Sequence, residues 1–158
     1  MTNEWSRKKS HKYQDAFKST LERSLKESVL VEYEYEPAGS KVTYSIPHTY
    51  NPDFVHPNSP NILIEVKGYF IKGQQDTAKY LSIIRDNPNK ELVFLFSNPD
   101  KKAYSGLRPR ADGTYMSLAE WCYKCRVLFF TEKTFPTELV TGDWSLEQLR
   151  EYKKQIYG

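Results

Sequence analysis

The chain reads as an α/β (α+β) protein, a mixed β-sheet with helices packed on its faces. Two observations predict that class. Short runs in which apolar and polar residues alternate with period two follow one another with longer runs in which apolar residues recur every three or four positions, the signatures of strands and helices. With 158 residues, 39% hydrophobic and 15% aromatic, the chain can bury one core, and a second independent domain would be undersized.

Residues 1–14 carry Arg7, Lys8, Lys9 and Lys12 with little apolar content and read as a flexible basic arm ahead of a single domain over 15–158. A helix is expected from Asp15 to Ser28, where Phe17, Leu21, Leu25 and Val29 recur on one face. Val31, Tyr33 and Tyr35 alternate with Glu32, Glu34 and Glu36 as in a half-exposed strand, and Val42, Tyr44 and Ile46 repeat the pattern between the Pro37-Ala38-Gly39-Ser40 turn and Pro47. The stretch "NPDFVHPNSPNILIEVKG", residues 51–68, supplies two more strands. A helix over Gln74 to Arg85 follows, and Glu91 to Phe96 is nearly continuously apolar, the mark of a strand covered on both faces. Ser117 with Glu120 forms a capping-box pattern that opens a third helix, before a strand over Val127 to Phe130. Ser145 with Gln148, and Trp144 placed to staple onto Leu149, open the last helix.

Several function classes recede on composition. No apolar run approaches the roughly 20 residues that span a bilayer, and the polar N-terminus lacks the apolar stretch of a secretory signal, so a soluble, intracellular protein is expected. A net charge of +3 permits a polyanionic partner without requiring one. Trp121-Cys122-x-x-Cys125 has redox spacing, but a redox dithiol follows a strand and opens a helix, whereas here the helix begins first and the strand comes after. Zinc would need two more ligands, and His11, His48 and His56 are distant. The cysteines read as a reduced pair packed near a helix end.

The informative stretch breaks an apolar strand, Ile62 to Val66, with Glu65 and Lys67. Residues two apart on a strand share a face with Cα atoms about 6.6 Å apart, so Glu65 and Lys67 point one way and Ile64 and Val66 the other. The turn must fall within His56 to Asn61, and a hairpin centred on Ser59 makes Asp53 the cross-strand neighbour of Glu65; a one-residue slip would send it to the opposite face. Two adjacent carboxylates repel unless a proton or cation lies between them, which suits a hard divalent ion such as Mg²⁺, with the lysine placed to orient a water or stabilise charge on a phosphate. Spacing alone leaves a surface hairpin with a solvated salt-bridge network equally open.

Pro52-Asp53 followed by Glu65-Val66-Lys67 resembles the PD-(D/E)xK nuclease superfamily. The strings "AFKSTLERSL", "YSIPHTYNPDF", "IEVKG", "SIIRDNP" and "SLAEWC" look like the endonuclease I family of T-odd phages, over about Asp15 to Leu139. The resemblance implies a restriction-endonuclease-like sheet in an intertwined, segment-swapped homodimer that resolves four-way (Holliday) DNA junctions with Mg²⁺, Mn²⁺ being a substitute. It would act in the host-cell cytoplasm if phage-encoded. It also implies a catalytic set of Glu22, Asp53, Glu65 and Lys67, none of them substituted. Without the resemblance, Glu22 reads as a helix-surface ion-pair residue, four from both Lys18 and Lys26.

On this reading Asp53, Glu65 and the backbone carbonyl of Val66 would hold one metal ion and Glu22 would help hold a second. Lys67 would position the attacking water, leaving 5′-phosphate ends. Candidate phosphate contacts are Lys8, Lys9 and Lys12 of the arm with Lys72, Lys79, Arg85, Lys101, Lys102, Arg108 and Arg110. Residues 37–47, with proline at both ends, could fold back on Val31 to Tyr35 as a hairpin within one chain or cross to a partner chain, and the resemblance favours crossing. The alternatives are a sequence-specific homing, restriction-type or nicking endonuclease on the same hairpin, a non-catalytic branched-DNA binding protein, and a purely structural or interaction protein.

Overall fold

The computed structural model describes residues 19–21, 23, 24, 27–29, 32 and 38–158. The chain divides into two units, Met1–Pro47 and His48–Gly158. In the first, residues 19–21, 23, 24, 27 and 28 are helical, as the four-residue apolar spacing predicts. The remainder of that helix, the basic arm with Lys8, Lys9 and Lys12, and Glu22 lie outside the described residues. So does most of the strand expected over 31–35, of which Glu32 is described and lies in a turn. The strand expected from Val42 to Ile46 is not formed: these residues are irregular, and Val42, Tyr44 and Ile46 are 87%, 86% and 62% exposed. Their alternation is genuine, but a strand exists only where its backbone groups meet a ladder, and no described residue supplies one.

The second unit runs β1 (Phe54–His56), β2 (Ser59–Lys67), α1 (Gln74–Asp86), β3 (Glu91–Phe96), α2 (Leu118–Cys125), β4 (Leu128–Phe130), α3 (Thr137–Thr141) and α4 (Leu146–Tyr157). The strands form one mixed sheet in the order β1-β2-β3-β4, with β1 antiparallel to β2 and the others parallel. Two parallel steps require helical crossovers, which α1 and α2 provide.

Each face of the sheet has its own core. Leu63, Leu92, Phe94 and Phe96 pack with Phe70, Tyr80, Leu118, Trp121 and Cys122 on one face. Ile62, Val93, Leu128 and Phe130 pack with Leu139 and Leu149 on the other. The apolar run of β3 is thus explained by burial on both sides. On the first face the packing is aromatic: the Phe94 ring lies 5.0 Å from Tyr80, 5.3 Å from Phe96 and 5.8 Å from Phe70, centroid to centroid.

The helix starts follow their caps. Ser117 Oγ accepts from the Glu120 amide and Glu120 returns the bond to the Ser117 amide; Ser145 and Gln148 do the same for α4. Trp144 and Leu149 lie in one cluster, as the staple requires. Strand β4 begins at Leu128 rather than Val127 because the Val127 amide donates to Cys122 O, finishing α2. Burial pushes the Cys122 thiol well above its ordinary range, and Cys125 in the same direction, consistent with two unreactive reduced cysteines. Helix α3, five residues between Pro136 and Gly142, is too short to show a period and was not anticipated.

The hairpin turn falls at Pro57-Asn58, with β2 starting at Ser59, inside the stretch expected to be loop. Its pairing is nevertheless the expected one near the open end: Phe54 faces Ile64 and Val55 faces Leu63, whereas His56 faces Ser59, the difference being taken up by an irregularity between Val55 and His56. The loop after α3 clasps this turn. Ser59 Oγ donates to Trp144 O at 2.7 Å and lies 3.3 Å from Gly142 O, and the His56 ring lies directly over Gly142. Gly142 has φ +71°, and a Cβ there would fall 2.1 Å from His56 Nδ1, so glycine is required twice over.

Candidate active site

Strand β2 carries Leu63, Glu65 and Lys67 on one face, and Leu63 belongs to the aromatic core beneath α1. Glu65 therefore points into the protein rather than to solvent and is only 4% exposed. A buried carboxylate must be fully supplied with donors, and this one is. Tyr80 of α1 donates its hydroxyl to Glu65 Oε1 at 2.6 Å, Tyr50 donates to Oε2 at 2.5 Å, and Lys67 Nζ lies 3.1 Å from Oε1. The solvated salt-bridge network that spacing left open does not describe this arrangement. Asp53 sits just before β1, where the pairing of Phe54 with Ile64 places it opposite Glu65, and its Oδ2 accepts from the Val66 amide at 2.9 Å. Asp53, Glu65, Val66 and Lys67 are thus brought together at the open end of the hairpin.

The electrostatics follow from these contacts. Burial alone would push the Glu65 carboxyl up, but the hydrogen bonds from Tyr50, Tyr80 and Lys67, with the Lys67 charge, outweigh it and hold the carboxyl below its ordinary value. The Tyr50 and Tyr80 hydroxyls are driven well above the usual phenol range, first by burial and then by the carboxylate they serve, so both remain donors. The Asp53 charge pushes the Tyr50 hydroxyl in the same direction. Among the described residues no group of three or more His, Cys, Asp or Glu side chains gathers into a metal cage. One exposed and one buried carboxylate set opposite each other are nevertheless a donor set Mg²⁺ takes, since it keeps several waters and binds one or two carboxylates. The exposed Asp53 and the buried, ionised Glu65 fit that donor set, with the Val66 carbonyl between Glu65 and Lys67 in sequence.

The family model for phage endonuclease I matches residues 1–155. The chain belongs to the phage endonuclease I family. It is 32% identical over 147 residues to "Endonuclease I" of Escherichia phage T7, covering 89% of this chain and 83% of that protein. It is 34% identical over 127 residues to "Endodeoxyribonuclease 1" of Enterobacteria phage T3, covering 77% of this chain and 74% of that one.

In this endonuclease I family member the candidate phosphate-contacting cations fall into distinct groups. Lys79 is beside the carboxylate cluster: its Nζ lies 3.8 Å from Asp76 Oδ1, 4.4 Å from the Tyr80 ring centroid and 5.8 Å from that of Tyr50. Lys101 stands over Tyr69 at 4.7 Å and Lys102 over Tyr115 at 3.9 Å, with Lys102 also donating to Ser105 O. Lys72 and Arg108 are exposed. Arg85 is paired with its neighbour Asp86, and Arg110 makes a two-pronged pair with Glu120, so both charges are already answered within the chain.

Tyr50, Tyr80 and Asp76 are the site residues that sequence reasoning missed. Asp76, in the first turn of α1, accepts from the Lys72 amide at 2.9 Å and anchors the entry to the helix that carries Tyr80. One signal pointed that way: a glutamate in an otherwise buried strand demands donors. Which of twelve tyrosines would answer was not legible from spacing.

Proposed function

We propose that this protein is a Mg²⁺-dependent, structure-selective DNA endonuclease that resolves four-way and other branched DNA by phosphodiester hydrolysis, acting as a homodimer. The observation that carries the reading is Glu65, ionised and held by three donors inside the core face of β2, with Asp53 opposite and Lys67 two residues on. Burial of a carboxylate is costly, and a strand that only needed to pack would use an apolar residue there. Membership of the endonuclease I family supports the reaction class, and the names of the phage T7 and T3 relatives support DNA as the substrate.

Asp53, Glu65 and the Val66 carbonyl would hold the metal, with Glu22, matched through "TLERSL", completing the acidic set. When bound, Mg²⁺ supplies Lewis-acid stabilisation of the charge on the phosphoryl oxygens. Lys67, its Nζ 3.1 Å from Glu65 Oε1, directs a hydrogen bond to the attacking water or to the phosphate oxygen on which charge develops. Lys79, Lys101, Lys102 and the basic arm hold neighbouring phosphates, which sets grip rather than rate. Resolution of a junction needs two cuts on opposing strands and each chain carries one such cluster, which is the reason for two chains, with residues 37–47 as the crossing segment. The exposed alternating side chains of Val42, Tyr44 and Ile46 are suited to that pairing.

The test is a cleavage gel with a labelled four-way junction, fork, nicked duplex and linear duplex, each with Mg²⁺ and with EDTA. Paired cuts at the junction in Mg²⁺ alone, leaving 5′-phosphates, are expected. Cutting of linear duplex at a defined sequence would move the assignment to a sequence-specific nuclease, and cleavage in EDTA would remove the metal.

A further inference from the structure

Glu65 is the most heavily bonded side chain of the site, and its bonds are unevenly shared. Oε1 accepts from both Tyr80 Oη and Lys67 Nζ, while Oε2 accepts from Tyr50 Oη. A carboxylate offers two acceptor positions on each oxygen, so among the described residues Oε1 is filled and Oε2 keeps one position. The two tyrosines come from different parts of the chain. Tyr50 belongs to the segment leading to β1, and Tyr80 rises from the fully buried face of α1 with its ring against Phe70 and Phe94. Their rings meet edge to face at 6.1 Å, and Lys79 stands near both ring faces. Neither hydroxyl has a packing role that phenylalanine could not fill.

We propose that Tyr50 and Tyr80 are positioning residues: each holds one oxygen of the Glu65 carboxylate, and together they turn the remaining acceptor position of Oε2 toward Asp53, where a divalent cation binds. This rests on the metal-dependent reading above and deepens it. Without one hydroxyl the carboxylate can swing toward Lys67 and close the salt bridge with both oxygens, taking Glu65 away from the ion. Partners that orient a metal ligand in this way are worth about 10–100-fold in metal affinity.

The experiment measures Mn²⁺ affinity of the full-length protein without DNA, from the free-ion electron paramagnetic resonance signal, for wild type, Tyr50→Phe and Tyr80→Phe. Each variant keeps its ring and is checked by circular dichroism. Both variants should bind Mn²⁺ about ten-fold more weakly than wild type, bind a four-way junction in EDTA as wild type does, and recover junction cleavage as Mn²⁺ is raised. A purely structural role would not be rescued by metal. If Tyr80→Phe does not fold, Tyr50→Phe, outside the deep core, decides the matter. Wild-type uptake with unchanged affinity in the folded variants overturns the clamp alone, as does a cleavage defect that excess Mn²⁺ leaves in place. No Mn²⁺ uptake by wild type overturns the metal reading and the clamp together.

Discussion

Replacing Gly142 by alanine tests whether the loop after α3 sets the hairpin that places Asp53. A non-glycine residue at φ +71° costs about 1–2 kcal/mol from the left-handed backbone. The added Cβ falls 2.1 Å from His56 Nδ1, so the imidazole must turn aside and give up the bond it accepts from the Asn58 amide at 3.1 Å, about another 1 kcal/mol. Reduced freedom of the unfolded chain returns about 0.4–1 kcal/mol. The net is a loss of about 2 kcal/mol, or roughly 4–8 °C in Tm for a chain of this size. Urea denaturation measures it. In a His56→Ala background the collision disappears and only the backbone cost remains, so the double-mutant cycle should show coupling of about 1 kcal/mol. Because Asp53 meets the Val66 amide only in the native pairing, cleavage should fall further than the folded fraction does. A Gly142→Ala protein as stable as wild type, or additive effects with His56→Ala, would refute the reasoning.

Other outcomes follow from the site. Lys67→Ala should slow junction cleavage by about 10²–10⁴-fold while leaving junction binding in Ca²⁺ within a few-fold of wild type, because grip is spread over many phosphate contacts; wild-type rates would remove Lys67 from the chemistry. Glu65→Ala should abolish cleavage and also destabilise the fold, since Tyr50 and Tyr80 lose their acceptor inside the core; gel assay and thermal melting report the two effects separately. If each active site of the proposed dimer combines Glu22 of one chain with Asp53, Glu65 and Lys67 of the other, unfolding and refolding a mixture of Glu22→Ala and Lys67→Ala chains restores nicking, whereas self-contained sites leave the mixture inactive. Burial raises the Cys122 thiol far above its usual value, so a thiol reagent at pH 8 should leave it unmodified in the folded protein and label it only in urea. The same shift means that the folded state holds this proton where the unfolded chain releases it, so stability declines as pH rises through about 8.5 and beyond.

Local chemistry was legible wherever it is decided by neighbours along the chain. The capping boxes at Ser117 and Ser145, the helix over Gln74 to Asp86 and the doubly covered strand at Glu91 to Phe96 depend on contacts within a few residues or on the alternation of burial. The strand proposed at Val42 to Ile46 shows the limit of that logic. Its side chains alternate correctly, but strand formation is a property of a pair, and no described residue pairs with it.

The active-site cluster lies between these cases. The amino-acid sequence alone determined that Glu65 and Lys67 share a face, because the pleat of a strand allows nothing else, and it made Asp53 a neighbour if the hairpin held one register. The register itself was decided by tertiary structure: the turn at Pro57-Asn58, the shift between Val55 and His56, and the clasp of Ser59 and His56 by the loop at Gly142, more than eighty residues away. Tertiary structure also decided that the Glu65 face is the interior, and that Tyr50 and Tyr80, among twelve tyrosines, supply the donors a buried carboxylate requires. A strand's pattern says which side chains point together; only the packing of α1 against β2 says what they meet, because burial and hydrogen bonding are set by distance in space and not along the chain.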